Sequence, residues 1–291
     1  MKEINRKNIY QLLVYLPFLF ISIAIIFLYY IFAEEIIKSA EIEGMYLITI
    51  LVLARMCFLF GISIYAYRQW FKQEAQYFTD IPALFGMFFT LYLFGKFFDL
   101  LTYLTYFQIT KEGWTVLIKM RYLILLTTFL PMMYLSLLMF LYYLSLKENV
   151  AMFTIKKIRD EKHRTKRQKQ IISIIFISEI LFVIYAPNTL ILTLLLPLFT
   201  GIAFIMIIWL FYYANKNKRL IQINTRILYY AFWILLMVQI VYAIARMIVG
   251  EWTTEVLAVG MVLIVETLGL IANIIVFFGF YLKSKYFQLN E

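Results

Sequence analysis

Eight long apolar stretches, separated by short polar gaps, make up most of this chain. We predict helices over residues 9–32, 45–67, 81–108, 114–146, 169–186, 189–213, 225–249 and 254–282. A helix needs about 20 apolar residues to cross roughly 30 Å of hydrocarbon, and most of these stretches are longer. The pattern predicts an all-α polytopic membrane protein, an eight-helix transmembrane bundle that forms a single domain over residues 1–291.

The fifth and sixth stretches lie close together and leave an alternative open. A single kinked helix over residues 169–213 would extend about 67 Å at 1.5 Å per residue, which is far more than the bilayer core. Pro187 and Asn188 separate the two stretches. Proline does not continue a helix easily, and a Pro-Asn pair is typical of a turn. Two spans joined by a tight hairpin therefore fit better.

Composition excludes a soluble domain and most cofactor chemistry. Hydrophobic residues make up 64% of the chain and charged residues 15%, whereas soluble domains average about half and about a quarter. The chain has one cysteine, Cys57, and one histidine, His163, which leaves no intramolecular disulfide and none of the usual intramembrane metal sites. No glycine-rich phosphate loop or paired aspartates are present. We expect no catalytic residues, no metal and no cofactor.

Basic residues collect in every second gap, which predicts the orientation. The N-terminal segment, the C-terminal tail and the gaps at 68–80, 147–170 and 214–226 hold 20 of the 27 Lys and Arg residues. The remaining gaps hold only Lys38 and Lys111. Since loops rich in Lys and Arg stay in the cytoplasm, the chain is predicted to lie in the plasma membrane with both termini cytoplasmic. Its net charge of +10 then indicates contact with anionic lipid headgroups and no nucleic-acid partner.

The gap at 147–170 is the one sizeable cytoplasmic segment, and it is predicted to be a basic loop. Its candidate contact residues are Lys156, Lys157, Arg159, Arg164, Lys166 and Arg167. The simpler interpretation is a stop-transfer loop that touches lipid headgroups. The alternative is an amphipathic segment that docks a protein partner or an anionic lipid. The basic run has no aromatic stacking pattern, which argues against nucleic acid.

Charged residues inside the spans are the best indication of function, because charge at mid-bilayer is costly. The predicted spans contain Arg55, Lys96, Asp99, Lys119, Arg121, Glu179, Arg246 and Glu266. A rise of 1.5 Å per residue places Arg55, Glu179 and Glu266 near the middle of the membrane. We expect these three residues to form a buried ion-pair network, in which Arg55 pairs with Glu179 or Glu266. Such a network can also serve helix packing alone.

Two polar stripes predict a ligand pocket in the outer half of the bundle. Tyr92, Lys96, Asp99 and Tyr103 recur at helical spacing in the third span, and Gln239, Tyr242 and Arg246 do so in the seventh. Such spacing places each set on one helix face. We predict an outward-facing cavity for a small anionic or amphiphilic ligand. The alternatives are that Lys96 and Asp99 pair only with each other, and that Lys119, Arg121 and Arg246 extend to the interface.

The long aromatic helices and the closing Gly-Phe-Tyr-Leu-Lys at 279–283 resemble the membrane-embedded sensor regions of archaeal and bacterial signalling proteins. This resemblance implies a receptor-like sensory bundle. The kinase or cyclase that normally follows such regions is not in this sequence, so a signal is expected to leave through 147–170 or a separate partner. The richness in Ile, Phe, Tyr and Lys suits an AT-rich prokaryotic genome.

Two other functions remain open at this stage. A transporter for small molecules or lipids would use the same pocket and should show helix breaks near mid-membrane, for which Pro17, Pro131 and Pro197 are the candidates. A lipid-modifying enzyme would need converging carboxylates, and Glu179 with Glu266 is the only pair at mid-depth.

Overall fold

The computed structural model describes residues 2–73, 76–146, 160–187, 189–220, 223–249 and 255–282. Within those ranges the chain forms helices joined by short turns. They are α1 Lys2–Ile31, α2 Ala33–Ser39, α3 Met45–Phe71, α4 Ile81–Thr105, α5 Lys111–Leu146, α6 Glu161–Tyr185, α7 Thr189–Lys216, α8 Thr225–Val249 and α9 Glu255–Tyr281.

Seven helices in the described ranges are long and apolar enough to cross a membrane, which confirms a multi-pass helical architecture. The count reaches 8 if the bent pair Tyr15–Ile31 and Ala33–Ser39, which meet at 67°, is one span. The short helix α2 occupies a region that was predicted to be a gap. Gly44 follows α2 in the left-handed conformation, with φ of 86°. Glycine adopts that conformation without steric cost, so the chain can turn sharply into α3.

The start of α6 corrects the predicted boundary of the basic loop. Residues 161–168 were assigned to that loop, but they form the first turns of α6. The reason is local: the side chain of Asp160 caps the helix by accepting a hydrogen bond from the Lys162 amide at 3.3 Å. Arg164, Lys166 and Arg167 therefore lie on a helix. Lys156, Lys157 and Arg159 lie outside the described residues.

Six helices pack side by side in a closed ring, in the order α3, α4, α5, α7, α8, α9 and back to α3. Short connections make consecutive helices antiparallel. The starts of α3, α5, α7 and α9 therefore gather with the ends of α4, α6 and α8 at one end of the bundle, which we call the Met45 end. The two remaining long helices lie outside the ring, with α1 packed against α4 and α6 against α5.

The half of the ring away from the Met45 end is filled with aromatic side chains. We call this packed set the phenylalanine floor: Phe85, Phe88, Phe89, Phe211 and Phe232, all fully buried. The Phe88 and Phe89 ring centroids are 4.9 Å apart, and those of Phe211 and Phe232 are 5.3 Å apart. These are favourable distances for aromatic pairs. The Phe88 ring also lies 6.0 Å from that of Tyr92, so the floor begins directly below the polar stripe of α4.

Candidate functional site

Five charged side chains from four helices meet inside the ring. We call this group the charge cluster: Arg55 of α3, Lys96 and Asp99 of α4, Arg121 of α5 and Glu266 of α9. At 1.5 Å per residue, they lie about 9–17 Å along their helices from the Met45 end. Four of them are at least 93% buried, and the side chain of Arg121 is 13% exposed. These residues form a compact charged group inside a bundle whose core is mainly apolar.

Glu266 is the centre of the cluster, because its two oxygens bind different helices. One oxygen, Oε2, lies 2.5 Å from Nη1 of Arg55. The other, Oε1, accepts hydrogen bonds from Nζ of Lys96 and from the hydroxyl of Tyr103, both at 3.0 Å. This carboxylate therefore ties α9 to both α3 and α4. The ion pair predicted between Arg55 and Glu266 is present.

Asp99 is the second anion and connects α4 to α5. Its Oδ2 accepts a hydrogen bond from Nζ of Lys96 at 2.6 Å, and its Oδ1 forms an ion pair with Nε of Arg121. Lys96 consequently binds both carboxylates of the cluster. Arg121 is a site residue that the sequence prediction missed, having left it as a side chain that could extend to the interface. The sequence did contain a signal for Arg121, because it lies at helical spacing from Trp114, Ile118 and Leu125. These three residues line cavities inside the bundle.

The charges in the cluster do not balance. Among the residues that the structure describes, three cations, Arg55, Lys96 and Arg121, pair with two carboxylates, Asp99 and Glu266. One positive charge is therefore in excess in a site shielded from water, where unpaired charge is costly. Arg55 also donates a hydrogen bond from Nη2 to the Tyr92 hydroxyl at 2.9 Å, while its buried Nε has no partner among the described residues. The electrostatics of the site favour an additional anion.

A cavity of about 50 Å³ lies among these side chains. Along with the cluster it is lined by Tyr92, Tyr103, Gln239 and Tyr242. The structure thus brings six of the predicted pocket residues to one cavity, and it adds Arg55 and Glu266, which the sequence assigned to a separate network. The side chain of Arg246, the seventh predicted pocket residue, lies outside the described residues.

Glu179 does not belong to this site, which corrects the predicted network. It is buried on α6, outside the ring, and no ion pair involves it among the residues that the structure describes. It does not line the cavity that Glu266 lines. The depth of a residue along its helix could be judged from the sequence, but the position of α6 outside the ring could not.

The other predicted cations lie on the outside of the ring. Lys119 is two residues from Arg121 and points away from it, because two residues are about 200° apart on a helix. Its Nζ donates a hydrogen bond to the carbonyl of Ile184 at 2.9 Å. On α6, the Arg164 guanidinium lies 5.6 Å from the Tyr142 ring centroid, whereas Lys166 and Arg167 are exposed. Contact of this basic surface with lipid or a partner stays a prediction.

A second cavity, of about 40 Å³, lies between the charge cluster and the Met45 end. We call it the apolar chamber, whose walls include Met45, Ile48, Tyr106, Trp114, Ile118 and Val262. Both cavities are lined by Tyr103, Arg121 and Tyr242. The cavity within the charge cluster, which we call the charged cavity, and the apolar chamber are therefore direct neighbours. The Arg121 side chain lies at their boundary.

Comparison with known proteins adds no family assignment. No family model matches the chain, and no match was found among curated proteins or solved structures. Fold and site together define a multi-pass helical membrane protein with an ion-pair cluster beside a cavity in its interior.

Proposed function

We propose that this protein is a receptor-like membrane bundle that binds a small anion in the cavity of the charge cluster. One observation carries the proposal: three cations, of which Arg55 and Lys96 are buried and Arg121 is mostly buried, face two carboxylates beside a cavity. An anion there neutralises the excess charge and can accept a hydrogen bond from the hydroxyl of Tyr92, whose oxygen accepts one from Nη2 of Arg55. The hydroxyl of Tyr103 already donates to Glu266. Charge-assisted hydrogen bonds of this kind are stronger than those between neutral groups.

The position of the phenylalanine floor supports a site that a ligand enters from one side of the membrane only. Its aromatic side chains fill the interior of the helix bundle immediately below Tyr92. The apolar chamber lies on the opposite side, between the cluster and the Met45 end. A receptor requires only that its ligand enters and leaves by the same side. An anion would compete with Asp99 and Glu266 for Lys96 and Arg121, and so would weaken the ion pairs that connect α4 to α5 and to α9.

We further propose eight spans with both termini in the cytoplasm and the Met45 end outside. The split of basic residues between alternate gaps supports this orientation. In this proposal the bent pair α1 and α2, which is long and apolar enough to cross a membrane only as a pair, is the eighth span. In this orientation the far end of α5 and the start of α6 lie at the cytoplasmic face. Residues 147–160 connect these two helices. This connection and the first turns of α6, together residues 147–170, are the segment through which we propose that a signal reaches a partner protein.

Transport is the second candidate, and the position of Lys96 favours it. Because Lys96 binds both Asp99 and Glu266, an anion that displaces one carboxylate leaves the lysine paired with the other. Such exchange of partners suits a transport cycle. However, transport would require the phenylalanine floor to open, and α1, α5 and α7 continue through Pro17, Pro131 and Pro197 without interruption. We propose no enzymatic function, since Glu179 and Glu266 line no common cavity in the described residues.

Thermal unfolding of the protein in zwitterionic nanodiscs, titrated with acetate or chloride at constant ionic strength, tests anion binding. We expect the unfolding temperature to rise with the concentration of at least one of these anions. Arg121→Gln removes the excess charge and should abolish the rise. The double substitution Arg121→Gln with Asp99→Asn restores the excess positive charge and should recover part of the rise in unfolding temperature. Lys119→Gln, outside the ring, should leave that rise unchanged.

A wild-type protein that responds to neither anion would overturn the proposed function. An equal response of Arg121→Gln and the wild type would do the same. Anion uptake into proteoliposomes separates the two candidates: a receptor-like bundle binds without flux, whereas a transporter gives flux that Arg121→Gln abolishes.

A further inference from the structure

We infer that the ligand is a short-chain monocarboxylate, whose carboxylate binds in the charge cluster and whose hydrocarbon part fills the apolar chamber. The inference rests on the proposed function and adds the chemical class, size and orientation of the ligand. Three features carry it: the size of the charge excess, the position of the apolar chamber and the volumes of the two cavities.

The charge excess selects a monoanion. One carboxylate neutralises the single excess positive charge formed by Arg55, Lys96 and Arg121 against Asp99 and Glu266. A phosphate dianion would instead leave a net negative charge inside the bundle, which is costly in a medium of low dielectric constant. A carboxylate also matches guanidinium geometry, since its two oxygens can accept parallel hydrogen bonds.

The position of the apolar chamber sets the orientation of the ligand. Met45 and Ile48 begin α3, and Trp114 and Ile118 begin α5, so the chamber lies nearer the Met45 end than Arg55 and the charged cavity. Its walls are mainly aliphatic and aromatic, and they offer few groups to a polar ligand. An anion bound at the cluster with a hydrocarbon tail would place that tail in the chamber, where each buried CH₂ adds affinity.

The two volumes limit the length of the tail. Cavities of about 50 Å³ and about 40 Å³ together hold roughly seven water-sized groups. The carboxylate takes three of these positions, which leaves about four for carbon atoms. A monocarboxylate of about four to six carbons therefore fills the two cavities, and the tail of a longer chain would have to extend beyond them.

The test is a series of straight-chain monocarboxylates, from acetate to decanoate, titrated into the full-length protein in zwitterionic nanodiscs. We expect affinity to increase about threefold to fourfold for each added CH₂, to reach a maximum near four to six carbons and then to fall. Inorganic phosphate should bind more weakly than acetate. Empty nanodiscs report partitioning into the lipid, which increases with chain length without a maximum.

Changes in the size of the chamber identify where the tail binds. Val262→Phe fills the chamber and should reduce the affinity for pentanoate to about that for acetate. Val262→Ala enlarges the chamber and should move the optimum by about one carbon toward longer chains, a gain that a misfolded protein cannot produce. Val276→Ala makes the same truncation on α9 away from both cavities, and it should leave the optimum unchanged.

Three results would overturn the inference and leave anion binding intact. They are acetate binding with no dependence on chain length, an optimum that Val262→Ala and Val262→Phe do not move, and phosphate binding as strong as acetate binding. If neither acetate nor chloride binds at all, the proposed function fails, and the inference fails with it.

Discussion

Gly269 leaves the space that the guanidinium group of Arg55 occupies. A Cβ atom at this glycine would overlap Nη1 and Cζ of Arg55. Gly269 follows Glu266 by three residues on α9, so both face α3. The missing side chain of the glycine and the carboxylate of Glu266 therefore act together: one makes room for the arginine, and the other neutralises it.

Gly269→Ala should displace the Arg55 guanidinium from Glu266 and destabilise the protein by about 1–3 kcal/mol, the usual cost of overpacking. The measurement is the unfolding temperature in nanodiscs. Gly260→Ala is the matched control on the same helix, since its added Cβ would meet nothing within 4 Å. It should be neutral or slightly stabilising, because alanine favours helix over glycine. Equal effects of the two substitutions would show that the tight fit against Arg55 is absent.

The ion pair between Arg55 and Glu266 predicts a strongly non-additive double substitution. Glu266→Gln leaves three cations against Asp99 alone and should cost about 3–5 kcal/mol, as removal of one partner of a buried pair does. Adding Arg55→Met restores the original charge excess and should recover part of the loss. A double-mutant cycle measured by reversible unfolding checks this. Additive losses would mean that the two side chains do not interact.

The proposed topology predicts opposite membrane sides for two positions. Glu41 lies in the turn between α2 and α3, and His163 lies in the first turn of α6. Reporter fusions or cysteine labelling should find Glu41 outside and His163 inside, because the basic gaps stay cytoplasmic. Labelling of both positions from the same side would contradict the arrangement of eight spans.

Asp160 predicts a pH-dependent start of α6. The hydrogen bond with His163, followed by that from the Lys162 amide, holds the pKa of the Asp160 carboxyl below its usual range. Because the pKa is lower in the folded state, the stabilisation is present above the ordinary aspartate pKa and is lost as pH falls through the lowered one. The protection factor of the Lys162 amide, which is its intrinsic exchange rate divided by the observed rate, should therefore fall as the pH is lowered through this range.

Asp160→Asn keeps the cap but not the charge, so it should remove this pH dependence. His163→Gln should raise the pKa of Asp160 toward its ordinary value, which carboxyl NMR can follow because the chain has only three aspartates, Asp80, Asp99 and Asp160. An Asp160 pKa that His163→Gln leaves unchanged would contradict the assignment.

Local patterns predicted much of the fold and part of the site. The predicted starts at 45, 81 and 225 coincide with those of α3, α4 and α8, since the apolar run and its flanking polar residues define a span. The spacing of Tyr92, Lys96, Asp99 and Tyr103 was sufficient to place them on one face, because helical periodicity is a property of one segment. The predicted start at 169 was wrong by eight residues, since α6 begins in the polar segment that Asp160 caps.

The sequence by itself thus determined the class of protein, the extent of most helices and the faces that carry charge. Only the tertiary structure decided which faces meet. It joined the stripe of α4 to the pair Arg55 and Glu266, turned Arg121 inward and placed Glu179 outside the ring. The physical reason is that depth and facing direction follow from the rise and rotation per residue. The neighbour that a charged face meets depends instead on how whole helices pack, which no single segment encodes.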